Sequence, residues 1–284
     1  MRLVAIVIIV VMLAVGYGFL LRQFDVSAMP MEQQFGIVGR EKPAAQIYIE
    51  ALSIDALNDA MQMRVSLATS RAPRGQRPAT PDRDLRLMIT HDKTVEEIKI
   101  AANDHGLTNT FEVDLNDGSV ADYPLDVYRS DLRVRLVEGV TRPDNPAELL
   151  PAKVTVWEGL LGFQLEPHEE LGSAPGELWL SFKIHRSGAF ALFAFAAYGA
   201  MIVLGISALA IGILTLIDVG RPEATLIGAL AGIAFALPVL RNALPGAPPL
   251  GVRLDMLVFL WTELAAVFAL GLLVFNWACG ERRA

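Results

Sequence analysis

The sequence is poor in the residues that carry most enzyme chemistry. A single cysteine, Cys279, excludes an intramolecular disulfide and a thiolate metal cluster. The 4 histidines lie at no metal-ligand spacing, and there is no Gly-rich phosphate loop, Gly-x-Ser-x-Gly elbow or His-Glu-x-x-His pair. We therefore predict a protein that is not an enzyme and that has no cofactor and no metal site.

Charge is also scarce. Asp, Glu, Lys and Arg make up 19% of the 284 residues, below the value of about a quarter that is usual in soluble domains. The net charge of −7 leaves no excess of Lys and Arg to neutralise a phosphate backbone, so nucleic acid is not an expected partner. Hydrophobic residues make up 53% of the chain and are concentrated in long runs.

Four of these apolar runs are near or above the length of about 20 residues that a helix needs to cross a bilayer. They cover residues 3–21, 189–217, 224–240 and 257–279. The first run has two interpretations, an uncleaved anchor or a signal peptide cleaved after Val26-Ser27-Ala28. Its length exceeds the core of about 7 to 15 residues that is typical of a signal peptide, which favours the anchor.

Residues 25–187 have a different character, with short β-type runs broken by Pro, Gly, Asn and Asp. Alternation of apolar and polar residues is clearest at 132–137 and 178–184, where every second side chain would face one side of a sheet. The spacing predicts an antiparallel immunoglobulin-like β-sandwich. Its strands are predicted at 45–54, 60–68, 85–90, 95–102, 108–115, 131–138, 152–157, 161–166 and 177–185.

The predicted organisation is therefore a membrane α+β protein with a four-helix transmembrane bundle, one helix N-terminal and three C-terminal. Its domains are a transmembrane anchor (1–24), an extracytoplasmic β-sandwich (25–187), a three-helix transmembrane domain (188–280) and a cytoplasmic tail (281–284). Lys and Arg are balanced on the two faces, so the positive-inside rule does not decide the orientation. An N-terminal signal-anchor translocates the segment C-terminal to it, which favours an inner-membrane protein with an extracytoplasmic β domain and both termini in the cytoplasm.

Two polar stretches are candidates for coupling the β domain to the bundle. One is a turn in which a proline lies beside aromatic and acidic residues, and the other is the Pro- and Gly-rich connector between the last two spans, which is bounded by charge. The candidate coupling residues are Tyr123, Pro124, Asp126, Tyr128, Arg241, Pro245, Arg253 and Asp255.

Within the predicted spans, Glu263 lies about 10 Å along the last helix. An ionisable group at that depth predicts a functional role, with the alternative that it pairs with an interfacial Arg or accepts a hydrogen bond inside the bundle. Small residues in the preceding span, among them Gly228 and Gly232, predict that a neighbouring helix comes close there.

The order of one span, a β domain and three spans resembles a family of bacterial membrane proteins known only as a domain of unknown function. The segment Pro245-Gly246-Ala247-Pro248-Pro249-Leu250-Gly251, followed by Asp255 and Phe259-Leu260-Trp261-Thr262-Glu263, carries the same resemblance. It covers nearly the whole chain and implies an architecture without an activity.

A second resemblance is to pentameric ligand-gated ion channels. Tyr123-Pro124-Leu125-Asp126 before a strand resembles their Phe/Tyr-Pro-x-Asp loop, which rests on the transmembrane bundle, and residues 182–186 resemble their last sandwich strand as it enters the first helix. Pro222-Glu223-Ala224-Thr225, Ile233-Ala234-Phe235 and Leu244-Pro245 resemble the start, middle and exit of the pore helix. The resemblance implies that Glu223 lies at the inner mouth, Thr225 faces the pore and Leu244-Pro245 couples sandwich to gate.

Two functions are compatible with these observations. The first is a non-enzymatic membrane protein whose β-sandwich binds a ligand or partner, as an accessory subunit of a cell-envelope complex. The alternative is a channel-like homo-oligomer. The expected partners are the lipid bilayer and either other envelope membrane proteins or further copies of the chain.

Overall fold

The structure, a computed structural model, describes the chain in two compact units. The described residues are 11, 14–19, 21–22, 24–25, 32–36, 45–67, 84–92, 94–101, 108–138, 149–170, 177–217 and 223–281. The β unit comprises Leu21–Ser119 and Val127–Ser187, and the helical unit comprises Met1–Leu20, Val120–Asp126 and Gly188–Ala284. Val120–Asp126, here called the inserted segment, lies between two strands in the chain but belongs to the helical unit.

The β unit is built from ten strands within the described ranges. They are β1 (Glu32–Gly36), β2 (Ala45–Asp55), β3 (Ala60–Leu67), β4 (Leu85–His91), β5 (Thr94–Ile100), β6 (Thr108–Asp114), β7 (Val127–Glu138), β8 (Ala152–Glu158), β9 (Phe163–Glu169) and β10 (Glu177–Arg186). Nine of them match the strands predicted from sequence to within a few residues at each end.

The strands form two five-stranded sheets, with the orders β1-β8-β2-β3-β6 and β5-β4-β7-β10-β9. The prediction of a purely antiparallel arrangement is wrong at one pair, because β2 and β8 run parallel, with Ala45 beside Ala152 and Ala51 beside Glu158. A parallel pair requires a long crossover, which β3 to β7 supply here. The other strand pairs in both sheets are antiparallel.

Alternation of buried and exposed residues gives both sheets one apolar face. In β7, Leu132, Val134 and Leu136 are buried, and the residues between them are more exposed. Residues from both sheets belong to a single hydrophobic cluster, in which Phe182 is fully buried. Burial of such side chains is worth about 1.5–3 kcal/mol each, so this shared core is the main source of stability in the β unit.

The helical unit contains three long C-terminal helices, α1 (Gly188–Ile217), α2 (Ala224–Asn242) and α3 (Leu260–Glu281), the last preceded by a π-helical turn, Asp255–Phe259. The segments Gly188–Ile217, Ala224–Asn242 and Asp255–Cys279 are long and apolar enough to cross a membrane, which indicates a membrane protein. The predicted N-terminal span falls largely outside the described residues, and those described between 11 and 25 are helical.

Helices α1 and α3 approach each other closely through small residues. A Cβ atom on Gly205 would lie 2.9 Å from Cβ of Thr262, and one on Gly212 would lie 2.9 Å from Cα of Ala269. The two glycines and their two partners are each seven residues apart, so one helix face meets another over two turns. About one turn beyond Gly212, Asn276 Nδ2 donates a hydrogen bond to the Thr215 carbonyl oxygen at 2.7 Å.

The close approach predicted at Gly228 and Gly232 of α2 is not what the structure shows. A Cβ atom at either glycine would meet nothing within 4 Å among the residues described, and the tight helix contact lies instead between α1 and α3.

We expect Gly212→Ala to destabilise the helical unit by about 1–3 kcal/mol, because the added methyl overlaps the Ala269 backbone. The matched control is Gly199→Ala in the same helix, where the methyl meets nothing within 4 Å and the gain in helix propensity stabilises by up to about 1 kcal/mol. Thermal unfolding of the full chain in detergent measures both. Equal unfolding midpoints for the two variants would refute the close packing of α1 against α3.

Candidate functional site: a buried polar cluster in the helical unit

The connector between α2 and α3 is organised by one buried ion pair. Arg241, in the last turn of α2, and Asp255, at the start of the π-helical turn, have side chains that are each 5% exposed. Arg241 Nε lies 3.1 Å from Asp255 Oδ1, and Arg241 Nη2 lies 2.5 Å from Asp255 Oδ2. The planar guanidinium therefore meets the carboxylate with two nitrogen atoms, the geometry in which such pairs are strongest.

Further hydrogen bonds surround this pair. Arg241 Nη2 also donates to the Pro249 carbonyl oxygen at 2.6 Å, which ties the connector to the end of α2. The Gly251 backbone N–H donates to Asp255 Oδ2 at 3.1 Å, and the Tyr198 hydroxyl of α1 donates to Asp255 Oδ1 at 2.8 Å. A buried charge is tolerated only when it is paired and hydrogen-bonded, and this cluster meets both conditions.

The inserted segment contacts the same connector. The Tyr123 side chain is 1% exposed and its hydroxyl donates to the Pro245 carbonyl oxygen at 2.9 Å. Arg253 Nη2 lies 2.7 Å from Asp122 Oδ1, with side chains that are 70% and 43% exposed. The buried tyrosine contributes packing and one hydrogen bond, whereas the exposed ion pair contributes little.

Gly118, just before the inserted segment, has a backbone conformation that other residues rarely adopt. Its φ is +120°, and a Cβ atom there would lie 2.4 Å from the Val127 carbonyl oxygen. The backbone groups of Asn116 and Arg129 exchange two hydrogen bonds, of 2.6 and 2.8 Å, across the same point. The chain is thus closed at the base of the segment.

The structure brings together most of the residues predicted to couple the β domain and the bundle. Tyr123, Arg241, Pro245, Arg253 and Asp255 are joined through the contacts above. Pro124 and Asp126 are buried within the inserted segment.

The remaining predicted site residues lie elsewhere. Tyr128 is in β7 and is fully buried in the core of the β unit. Glu223 precedes α2 and accepts a hydrogen bond from the Thr225 hydroxyl at 3.1 Å, about 27 Å along the helix from Arg241. Glu263 lies in the first turn of α3, and its Oε2 atom is buried with no hydrogen-bond partner in the described part of the chain. Among those residues no Arg pairs with Glu263.

Two members of the cluster were not predicted. Tyr198 is in the middle of an apolar helix, and Asp122 precedes the Tyr-Pro turn. The position of Tyr198 within an otherwise apolar span could have indicated a polar partner, because a buried phenol usually needs a hydrogen-bond partner. For Asp122 no signal distinguishes it from other loop acids.

A second group of titratable residues lies on β8, β9 and β10. Burial raises the pKa of the Glu158 carboxyl, against a lowering contribution from the Leu165 N–H, which donates to Glu158 Oε1 at 2.8 Å. For Glu166, partial burial opposes the shift, but hydrogen bonds and attraction from His185 and Lys183 hold the pKa below its ordinary value. Two neighbouring carboxyls are thus shifted in opposite directions.

The contacts of the helical-unit cluster are those of a structural support. Both Asp255 carboxylate oxygens accept hydrogen bonds from the protein, from Arg241, Tyr198 and the Gly251 backbone. Among the described residues, no group of three or more His, Cys, Asp or Glu side chains is placed to hold a metal ion. What the cluster does is fix the connector, the inserted segment and α1 to one another.

Two sheets around a common core, joined to three helices of membrane-spanning length, define a membrane protein with a β-rich domain. A family model described as "Domain of unknown function (DUF4436)" matches residues 40–182, just over half of the chain, and a second, "Domain of unknown function (DUF8686)", matches residues 186–280. The chain therefore belongs to the DUF4436 family, whose function is not characterised. No curated protein matches the chain significantly.

We expect Arg241→Ala and Asp255→Ala each to destabilise the protein by about 3–5 kcal/mol, because each leaves a buried charge without its partner. The double variant Arg241→Met, Asp255→Leu removes both charges and should be more stable than either single variant. Arg253→Gln is the control, with an effect below about 1 kcal/mol at its exposed pair. Chemical unfolding in detergent measures these differences. If Arg241→Ala and Asp255→Ala destabilised the protein no more than Arg253→Gln does, the buried ion pair would be contradicted.

The two shifted carboxyls predict opposite pH effects. Glu166 has a lowered pKa, so its stabilisation is present above its ordinary value of 4.5 and is lost as the pH falls through the folded-state pKa. Glu158 has a raised pKa, so ionisation costs stability as the pH rises above 4.5. At neutral pH, Glu166→Gln should therefore lower the unfolding midpoint and Glu158→Gln should raise it.

Both differences should shrink as the pH falls below about 4.5, and each should stay below about 1 kcal/mol because solvent reaches both groups. Thermal unfolding across pH, followed by tryptophan fluorescence, measures them. Differences of the same sign, or differences independent of pH, would count against the assignment.

Proposed function

We propose that this chain is a non-enzymatic integral membrane protein of the cell envelope whose β unit binds a ligand or partner outside the cytoplasm. In this proposal the two sheets pack as an immunoglobulin-like β-sandwich, the three C-terminal helices and the N-terminal run cross the inner membrane, and both termini are cytoplasmic. The protein acts as an accessory subunit of a membrane complex. The shared core of the two sheets and the apolar helices support this organisation.

The observation that carries the proposal is the hydrogen bond from Tyr123 to Pro245. A domain that served only as a tethered enzyme or spacer would need one connection to its anchor, such as the passage from β10 through Ser187 into α1. Here the chain also leaves the β unit after Ser119, contributes Val120–Asp126 to the helical unit, and returns. The β unit is therefore connected to the helices by a second route, which is covalent as far as the inserted segment and then passes through the Tyr123–Pro245 hydrogen bond.

The buried cluster makes that route stiff. Tyr123 is held by a carbonyl of the connector, and the connector is held by Arg241 through Pro249 and by Asp255 through Gly251. Because Asp255 is also bonded to Tyr198, displacement of the inserted segment acts on α1, α2 and α3 together. This arrangement suits a module that reports binding or transmits a partner's position.

The alternative, a channel-like homo-oligomer, is favoured by two observations. The Tyr-Pro-x-Asp loop that resembles the coupling loop of pentameric channels does contact Leu244-Pro245 through Tyr123. The face of α2 that carries Thr225, Gly228 and Gly232 is exposed within one copy of the chain, so it is available to line a pore or to meet another copy.

Labelling with a membrane-impermeant maleimide tests the orientation. In a Cys279→Ser background, Leu161→Cys places a thiol at a turn of the β unit where the leucine is 87% exposed, and Ala284→Cys places one at the C-terminus. Intact cells should label the first variant and inverted vesicles the second. Labelling of Leu161→Cys only from the cytoplasmic side would overturn the proposal.

Co-purification of differently tagged copies from nanodiscs separates the two functions. The accessory-subunit proposal predicts that the two tags do not co-purify and that other membrane proteins do, whereas the channel alternative predicts tag pairing and conductance in bilayers.

A further inference from the structure

We propose that a polar cavity on the β unit binds a small zwitterion with one ammonium and one carboxylate group, that is, a free α-amino acid or a short peptide. This inference rests on the proposed function and names the ligand class of its binding module. The cavity has a volume of about 300 Å³ and is lined by Thr90, Asp92, Asn116, Asp131, Arg133 and Trp179. Such a volume is at the lower end of the range of small-molecule sites.

The cavity lies on the face of the second sheet that points away from the core. Thr90 of β4, Arg133 of β7 and Trp179 of β10 are directly opposite one another in register and form one row across three strands. Asp131 is two residues before Arg133 on the same face, opposite Ser181. Rigid strands therefore position these side chains, which is the most reliable support for a binding site.

Both ends of the cavity are fixed by the backbone. Asp92 is at the tip of the β4–β5 hairpin with a φ of 44°, a conformation that Asp tolerates better than most residues. Asn116 is held to Arg129 by the two backbone hydrogen bonds described above. The carboxylate and the amide thus face the cavity from loops that the sheet constrains.

Charges of both signs line the cavity without neutralising each other. Within the described part of the chain, neither Asp92 nor Asp131 forms an ion pair, although Asp131 and Arg133 are neighbours on one face. The Arg133 guanidinium instead lies over the Trp179 ring, 4.4 Å from its centroid. A guanidinium held this way keeps N–H donors for a carboxylate.

This combination selects among ligand classes. A simple cation would be attracted by the two carboxylates but repelled by Arg133. An anion would be attracted by Arg133 but repelled by the two carboxylates. A sugar ring would need the face of Trp179, which Arg133 covers. A zwitterion satisfies both signs, with its carboxylate on Arg133 and its ammonium on Asp131 and Asp92, and Thr90 and Asn116 supply further hydrogen bonds.

The cavity is also placed to act on the inserted segment along the chain. Asn116 is four residues before Val120, and Asp131 is five residues after Asp126, so two of the cavity-lining residues flank the segment whose Tyr123 binds Pro245. A ligand that bridges Asn116 and Asp131 would tighten the base of that segment.

The test uses the full chain in nanodiscs and isothermal titration calorimetry with a panel of free α-amino acids and dipeptides. We expect at least one member to bind. Its carboxamide, which keeps only the cation, and its N-acetyl form, which keeps only the anion, should each bind about 10- to 100-fold more weakly, since a charge-assisted hydrogen bond is lost.

Variants assign the charges. Asp131→Asn should weaken binding of the free amino acid and of its amide but not of the N-acetyl form. Arg133→Gln should weaken binding of the free amino acid and of the N-acetyl form but not of the amide. Asp92→Asn is the second test of the ammonium site. Arg86→Gln is the matched control, on the outward face of β4 but outside the cavity, and should leave binding unchanged.

Several results would overturn the inference. These are no binding by any panel member, binding of the amide or the N-acetyl form as tight as that of the free amino acid, or tighter binding of a neutral monosaccharide that Asp131→Asn abolishes. If the panel fails while Leu161→Cys is still labelled from outside the cell, only the ligand class is lost. If that labelling fails, the proposed function itself is wrong.

Discussion

The buried ion pair between Arg241 and Asp255 determines how the helical unit is assembled. Either group alone at 5% exposure would cost several kcal/mol, so the end of α2 and the start of α3 are stable in these positions only with Arg241 and Asp255 paired. Their contacts with Pro249, Gly251 and Tyr198 then set the path of the connector and the rotation of α1. The packing of Gly205 and Gly212 against α3 is compatible with that rotation, because those glycines and Tyr198 repeat at intervals of seven along α1.

Much of the fold could be predicted from the sequence because the patterns that define its strands and helices are local. The alternation in Leu132–Leu136 and the length of the three apolar runs each depend on neighbouring residues only, and the structure has the strands and helices where they were predicted. β1 was missed because Glu32-Gln33-Gln34-Phe35-Gly36 has one large apolar side chain and lies at a sheet edge, where pairing with β8 and not burial defines the strand. β7 begins four residues earlier than predicted because β10 pairs with it as far as Val127.

The candidate site was only partly predictable, since its contacts join distant parts of the chain. Arg241 and Asp255 flank a rigid connector, so their proximity follows from a short loop. The partnership of Tyr198 with Asp255 spans 57 residues and that of Tyr123 with Pro245 spans 122, and nothing in the local sequence specifies either. The small residues of α2 illustrate the same limit, because composition indicates that a helix can be approached closely but not which helix does so.

The parallel pairing of β2 with β8 has a consequence for how the protein is made. The first sheet places β8 between β1 and β2, so β1 has no partner strand and β2 has only β3 until residues beyond 150 have been synthesised. Contacts of such long sequence separation form slowly because the intervening chain must first be ordered. A nascent chain would thus expose unpaired strand edges during synthesis, a state in which aggregation competes with folding.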